Sequence, residues 1–195
     1  MENINLKSEL KELYTASSKV PSIIEIPTMN YIKLDGMGTP KDKEFQYAAE
    51  TLYPIAYTLK FMVRQSLNLD FKVMPMEVLW RIDREKKKFF WTMMVMQPEC
   101  ITGELFETAC KRVQEKFSPK LLDEARFEDL TEGICVQMMH RGAYEQMNDT
   151  LNKMLEYINQ KGYTSERDTH DIYLNNVKKT RQENLKTIMR LRVYK

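Results

Sequence analysis

The spacing of apolar residues along this chain switches from alternation to steps of three and four and back again, twice and in the same order. Residues 23–36 alternate and read as a strand pair, or one long strand broken at Pro27, that stops at Gly36-Met37-Gly38 and Pro40. From Asp42 the period changes. Phe45, Ala48, Leu52, Ile55, Leu59 and Met62 recur at helical spacing, which predicts about six helical turns with a kink at Pro54. Strands over 71–82 and 89–96 follow, joined by a charged turn at 83–88, and Pro98 closes the run. Residues 104–117 carry Leu105, Phe106, Ala109, Cys110 and Val113 on one face and predict a helix, with a polar connector over 119–126.

The second round has the same order. Residues 127–139 read as a strand, Met147, Leu151, Met154, Leu155 and Ile158 as a helix ended by Gly162, and 168–175 and 185–194 as two strands. In the last strand Thr187, Met189, Leu191 and Val193 alternate with Lys186, Ile188, Arg190 and Arg192, predicting one buried and one mostly basic face. Leu6, Leu10 and Tyr14 predict a short amphipathic helix ahead of Pro21. The expected fold is α+β: duplicated β-α-β-β units forming a curved antiparallel sheet, helices on one face and a central ligand groove. One domain over 1–195 is expected, with pseudo-repeats at about 22–97 and 127–195 and a helical connector over 98–126.

Composition narrows the function. With 30 basic and 28 acidic side chains the net charge is +2, too weak a field to hold a nucleic-acid backbone. No apolar run suits a membrane span, and the first residues lack an apolar signal core, so a cytoplasmic protein is expected. Cys100, Cys110 and Cys135 show neither disulfide nor zinc spacing, and the two histidines, His140 and His170, lack a close third ligand. The six glycines form no phosphate loop. No metal or cofactor is expected. The conspicuous enrichment is 14 methionines. Met74, Met76, Met93, Met94, Met96, Met138 and Met139 fall in predicted strands, where thioethers suit a surface that repacks around different ligands.

Several residues suggest chemistry. Glu77 sits in an otherwise apolar strand, either as a buried acid at a pocket floor or as an edge carboxylate paired with a cross-strand cation. Trp80 and Trp91 in consecutive strands are either cleft walls, with Met93, Met94 and Met96, or core. Glu77 and Trp80 are an odd step apart, so a regular strand sends them to opposite faces. His140, Tyr144, Asp171 and Tyr173 form a second group, with Asp171 and Tyr173 on one strand face. An acid beside a phenol is either a general acid/base pair or a hydrogen bond tying a strand to a loop. Cys135 reads as an inert core thiol, and the runs Arg84 to Lys88 and Lys178 to Arg181 as solvated turns.

The segments 30–40, 56–61, 74–80, 91–98, 132–140, 170–174 and 185–190 together resemble the GyrI-like small-molecule-binding family, in its free-standing bacterial branch. The resemblance covers nearly the whole chain. It implies a groove for hydrophobic, often cationic or planar compounds, and in some relatives a hydrolase that opens strained cyclopropane electrophiles. Glu77 matches the acid of the family's P-L-E-G-L-W-W segment and Trp80 its first Trp. Asp171 stands where H-E-I-Y-L has Glu, with Tyr173 as its Tyr, and His140, Gly142 and Tyr144 match H-x-G-P-Y. Arg81 replaces the second Trp, Val78 the Gly and Ala143 the Pro. Asp171 is one methylene shorter than Glu, and an Arg81 beside the acid would hold it ionised and narrow the groove. The resemblance therefore implies a ligand set of Glu77, Trp80, Trp91, Met94, His140, Tyr144, Asp171 and Tyr173. In the hydrolase case Asp171, Tyr173 and Glu77 would be catalytic.

Overall fold

The computed structural model describes residues 2–4, 6–83, 85–86, 88–166, 168–177 and 179–195. Arg84, Lys87 and Lys178, from the two charged runs, lie outside the described residues. The elements are β1 (Glu2–Ile4), α1 (Leu6–Glu9), β2 (Ser22–Ile26), β3 (Met29–Met37), α2 (Lys43–Ser66), β4 (Leu69–Phe71), β5 (Met76–Asp83) and β6 (Lys88–Gln97). There follow α3 (Gly103–Phe117), β7 (Arg126–Leu130), β8 (Gly133–Arg141), α4 (Met147–Gln160), β9 (Thr169–Tyr173) and β10 (Lys186–Arg192). The helical spacing marks all three long helices. The Thr102 hydroxyl caps α3 by accepting from the Leu105 N–H, and Gly162 supplies the positive φ that ends α4. The α2 helix runs through Pro54.

Eight strands form one curved antiparallel sheet in the order β2-β8-β10-β9-β5-β6-β3-β7. The two strand–helix–strand–strand units, β3-α2-β5-β6 and β8-α4-β9-β10, meet edge to edge where β5 pairs with β9. The outer strands are exchanged. β2 precedes the first unit in sequence but pairs with β8 of the second, and β7 precedes the second but pairs with β3 of the first.

This exchange corrects two expectations. Residues 23–36 are not a hairpin: β2 and β3 lie near opposite edges of the sheet. Residues 127–139 are not one strand either, because the chain breaks after Leu130 and Gly133, at φ 69°, turns it towards the other edge. The predicted strand over 71–82 is also divided. Pro75, with no N–H to give a ladder, separates β5 from β4, and β4 pairs in parallel with β1.

The register places Val78, Trp80, Trp91, Met93, Met138, Thr169, Asp171, Tyr173 and Met189 on one face. The helices cover this face. Phe45 of α2 stacks on Trp80 at 5.6 Å and meets Trp91 edge-on, Phe106 of α3 stacks on Phe127, and Met154 and Ile158 of α4 pack with Met138 and Met189. The opposite face, with Tyr31, Glu77, Met94, His170 and Arg190, is crossed by the N-terminal segment. The amphipathic helix expected there is a single turn. Beyond it turn bonds carry the chain to Tyr14, and tertiary bonds tie the segment to the sheet: Gln137 donates to the Glu12 and Thr15 carbonyls at 3.1 and 3.2 Å, Arg190 donates to that of Leu13, and the Met139 N–H donates to that of Ser17.

Cover on both faces also changes the reading of β10, where Thr187 through Leu191 are all buried, Arg190 included. The methionines follow the same logic. Met74, Met93, Met94, Met96, Met138 and Met139 are buried, divided between the faces or just outside the strands, and fill core rather than line an open wall. Among the described residues no helix is long and apolar enough to cross a membrane.

Candidate functional site

At the centre of the helix-covered face, strand alternation delivers Trp80 from β5 and Asp171 and Tyr173 from β9, with Val78 paired to Asp171 and Trp80 to Thr169. Tyr144 arrives from outside the sheet. After β8 the chain turns at Gly142, at φ 118°, into a short 3-10 turn over Tyr144–Gln146. His140 fixes that turn: one ring nitrogen lies 2.9 Å from the Thr150 hydroxyl of α4 and the other 3.0 Å from the Ala143 carbonyl. The Tyr144 ring then meets Tyr173 edge-on, with centroids 5.7 Å apart and planes at 87°. The Trp80 indole N–H donates to the Tyr173 hydroxyl at 3.2 Å, and Phe45 closes the far side of the indole. Trp80, Tyr144 and Tyr173 are half-buried.

Asp171 lies beneath them, 4% exposed, with one buried oxygen that has no hydrogen-bond partner among the described residues. Burial pushes its pKa up to about 7, against a lowering from His170 and the Thr169 hydroxyl. Burial, then Asp171, raises the Tyr173 and Tyr144 phenols, so both stay protonated at neutral pH. A half-ionised acid with a free lone pair, under three aromatic side chains, can attract a cation, orient a donor or exchange a proton.

The remaining sequence-predicted residues lie elsewhere. Trp91 is buried over Gly36, where an added Cβ would fall 2.1 Å from the indole. Met94 and Glu77 are on the opposite face, both fully buried. Glu77 is neither an exposed edge carboxylate nor a neighbour of Asp171. It accepts from Tyr14 at 2.6 Å and Tyr31 at 3.4 Å and lies 2.8 Å from His170 Nε2. Arg81 is exposed on that same face, over the Phe90 ring at 5.4 Å, and does not narrow the approach to Asp171.

Glu77 belongs to a charge array that sequence reasoning missed. His170 is clamped between Glu77 and Glu132, 2.8 Å from each, and Arg190 lies 3.8 Å from Glu132. Burial alone would discharge the imidazole, but Glu132 and Glu77 outweigh it and hold its pKa up to about 9. Two carboxylates and two cations thus cancel inside the protein. The available signal was an arginine and a histidine inside predicted strands. Among the described residues no group of three His, Cys, Asp or Glu is arranged to hold a metal ion.

Residues 19–193 match the GyrI-like small molecule binding domain. A hydrolase from Listeria innocua is 34% identical, with 98% of this chain and 100% of that one covered and a TM-score of 0.89. A conserved Listeria innocua protein is 33% identical, with 98% and 100% covered and the same TM-score of 0.89. The EcmrR C-terminal domain shares the fold at 12% identity, with 90% and 97% covered and a TM-score of 0.53. Among curated proteins there is no significant match.

Proposed function

Because the chain belongs to the GyrI-like small-molecule-binding family, we infer that it binds hydrophobic, cationic or planar compounds on the Trp80–Tyr144–Tyr173 surface above Asp171. The observation that carries this reading is the unpartnered buried oxygen of Asp171 beside three half-buried aromatic side chains. The aromatic faces supply dispersion and attract positive charge, and the ionised acid supplies the counter-charge. The acid ionises near pH 7, so cation binding strengthens as pH rises through that value and weakens below it. Fluorescence polarisation with the lipophilic cation rhodamine 6G tests this. Asp171→Asn is expected to weaken binding about tenfold at pH 8 and far less at pH 5.5. Equal affinities in the two proteins at pH 8 would remove Asp171 from the site.

A second reading, hydrolysis, is favoured by the 34% identical Listeria innocua hydrolase, which aligns over nearly the whole of both chains. Here Asp171 takes a proton from water, the oxygen attacks an electrophilic carbon such as that of a strained cyclopropane, and Tyr173 or Tyr144 protonates the departing carbon. A cyclopropane-containing alkylator incubated with the protein should gain the mass of water. A rate equal to that of Asp171→Asn would reject catalysis and leave binding intact. Two expectations travel with this reading: a cytoplasmic location, and an origin of the two halves by internal duplication.

A further inference from the structure

Trp80 carries a stacked ring that belongs to the protein itself. Phe45 lies 5.6 Å from it with the planes at 12°, and meets Trp91 edge-on at 5.3 Å and 80°. An offset parallel pair of this kind is the arrangement a flat aromatic ligand adopts on an indole. The register agrees with the contacts. Trp80 and Trp91 are cross-strand partners, and Val78, two residues before Trp80, pairs with Asp171, so the two indoles and the acid project from the same face, towards the helices. Phe45 thus fills a slot one ring thick on the acid's side of the sheet.

The segment that carries this ring is fastened by little else. Residues 39–46 are all exposed except Phe45, and Gly38, at φ 104°, leads into them. Asp42, at the N-cap of α2, makes no side-chain cap. Its carboxylate accepts instead from the Thr39 N–H and hydroxyl, at 2.6 and 3.0 Å. The Gln46 N–H reaches the Asp42 carbonyl only at 3.4 Å, long for a helical bond. The next buried side chains are Ala48, Thr51 and Leu52. Helix ends open at lower cost than helix bodies, so fraying of this first turn would lift Phe45 off the indole while the rest of α2 stays docked.

We propose that Phe45 is a built-in occupant of the ligand's stacking slot, and that the ligand is a flat aromatic cation that takes its place on Trp80 while Asp171 supplies the counter-charge. This rests on the Asp171 reading and narrows it, from hydrophobic cations at large to planar ones. A compound without a flat ring gains nothing from the slot. A flat one binds with an affinity reduced by the fraction of molecules in which Phe45 still fills it. Phe45 is then a specificity-determining residue, set on a different element from every other member of the site.

Stopped-flow binding of proflavine, a flat fluorescent cation, to the full chain and to Phe45→Ala tests it, with tetrabutylammonium as a non-planar competitor. Phe45→Ala should bind proflavine about tenfold more tightly. The gain should lie in the association rate, because the ring blocks the slot only before the ligand arrives. A cavity merely emptied by the substitution would slow dissociation instead. Tetrabutylammonium should displace proflavine from either protein only at far higher concentration. If Phe45→Ala fails to fold by circular dichroism, Phe45→Leu, which keeps an apolar anchor but has no ring to stack, should show the same change in smaller measure. Equal or weaker binding in the folded variant, a gain confined to dissociation, or ready displacement by tetrabutylammonium overturns this proposal alone. Proflavine binding unchanged by Asp171→Asn at pH 8 overturns the Asp171 reading, and this proposal with it.

Discussion

Replacing Asp171 by asparagine keeps the shape of the side chain and removes the one acid that the helix-covered face must hold without a hydrogen bond to one of its oxygens. In the folded protein its pKa is about 7, against 3.8 as the ordinary value. For an acid with a raised folded pKa, folding favours the protonated form. Its contribution is fully present below the unfolded value, erodes as pH rises, and is gone above the folded value. Between pH 5 and pH 8.5 the wild type should therefore lose about 3 kcal/mol that Asp171→Asn does not. Urea unfolding of both proteins at the two pH values measures this directly, with the difference in stability as the readout. The clamped His170 also loses stability across this window, because its folded pKa lies above its ordinary value, but it does so in both proteins and cancels from the difference. A difference between the proteins that is flat with pH would refute the claim that Asp171 is held in a desolvated site. The same charge that weakens the fold is the one the proposed cation site would use, a local cost of the kind tolerated at binding sites.

Glu132→Gln removes one jaw of the clamp and leaves His170 and Arg190 less compensated. A loss of about 3–5 kcal/mol in denaturant unfolding is expected. Because the folded His170 pKa is raised to about 9, that loss is full below the ordinary histidine value of 6.5 and shrinks as pH rises through 9. Gly36→Ala drives a methyl group into the Trp91 indole. A destabilisation of about 1–3 kcal/mol is expected, with a shift in tryptophan emission as the indole moves.

The sequence made the helices and most strands legible because each is written in a local period. Phe45 through Met62 and Met147 through Ile158 keep their spacing whatever they pack against. The common face of Asp171 and Tyr173, and the opposite facing of Glu77 and Trp80, follow from the same alternation. Pairing is not local. Nothing between Ile26 and Met29 shows that the chain crosses from one side of the sheet to the other, and Glu132-Gly133 reads as mid-strand unless the partner of each flanking segment is known. Arg190 was misread for a related reason. Alternation reports which side chains share a face, not whether that face is covered, and here the cover comes from residues at the other end of the chain. The joining of Tyr144 to Tyr173 through the His140 turn is likewise tertiary.

The exchanged outer strands also bear on folding order and on how the halves are joined. Ser22 finds its partner only when Gln137 has been made, so the N-terminal half emerges from synthesis with β2 unpaired, and closure waits for most of the chain. Such non-local pairing is slow, and an unpaired edge is exposed to wrong partners meanwhile. Once closed, each half is fastened by a strand belonging to the other. A hinge that spread the sheet at β5 and β9 would leave both exchanged pairs whole, since β2-β8 lies on one side of that seam and β3-β7 on the other. Across that seam the halves are tied by two short connections, 27–28 between β2 and β3 and 131–132 between β7 and β8.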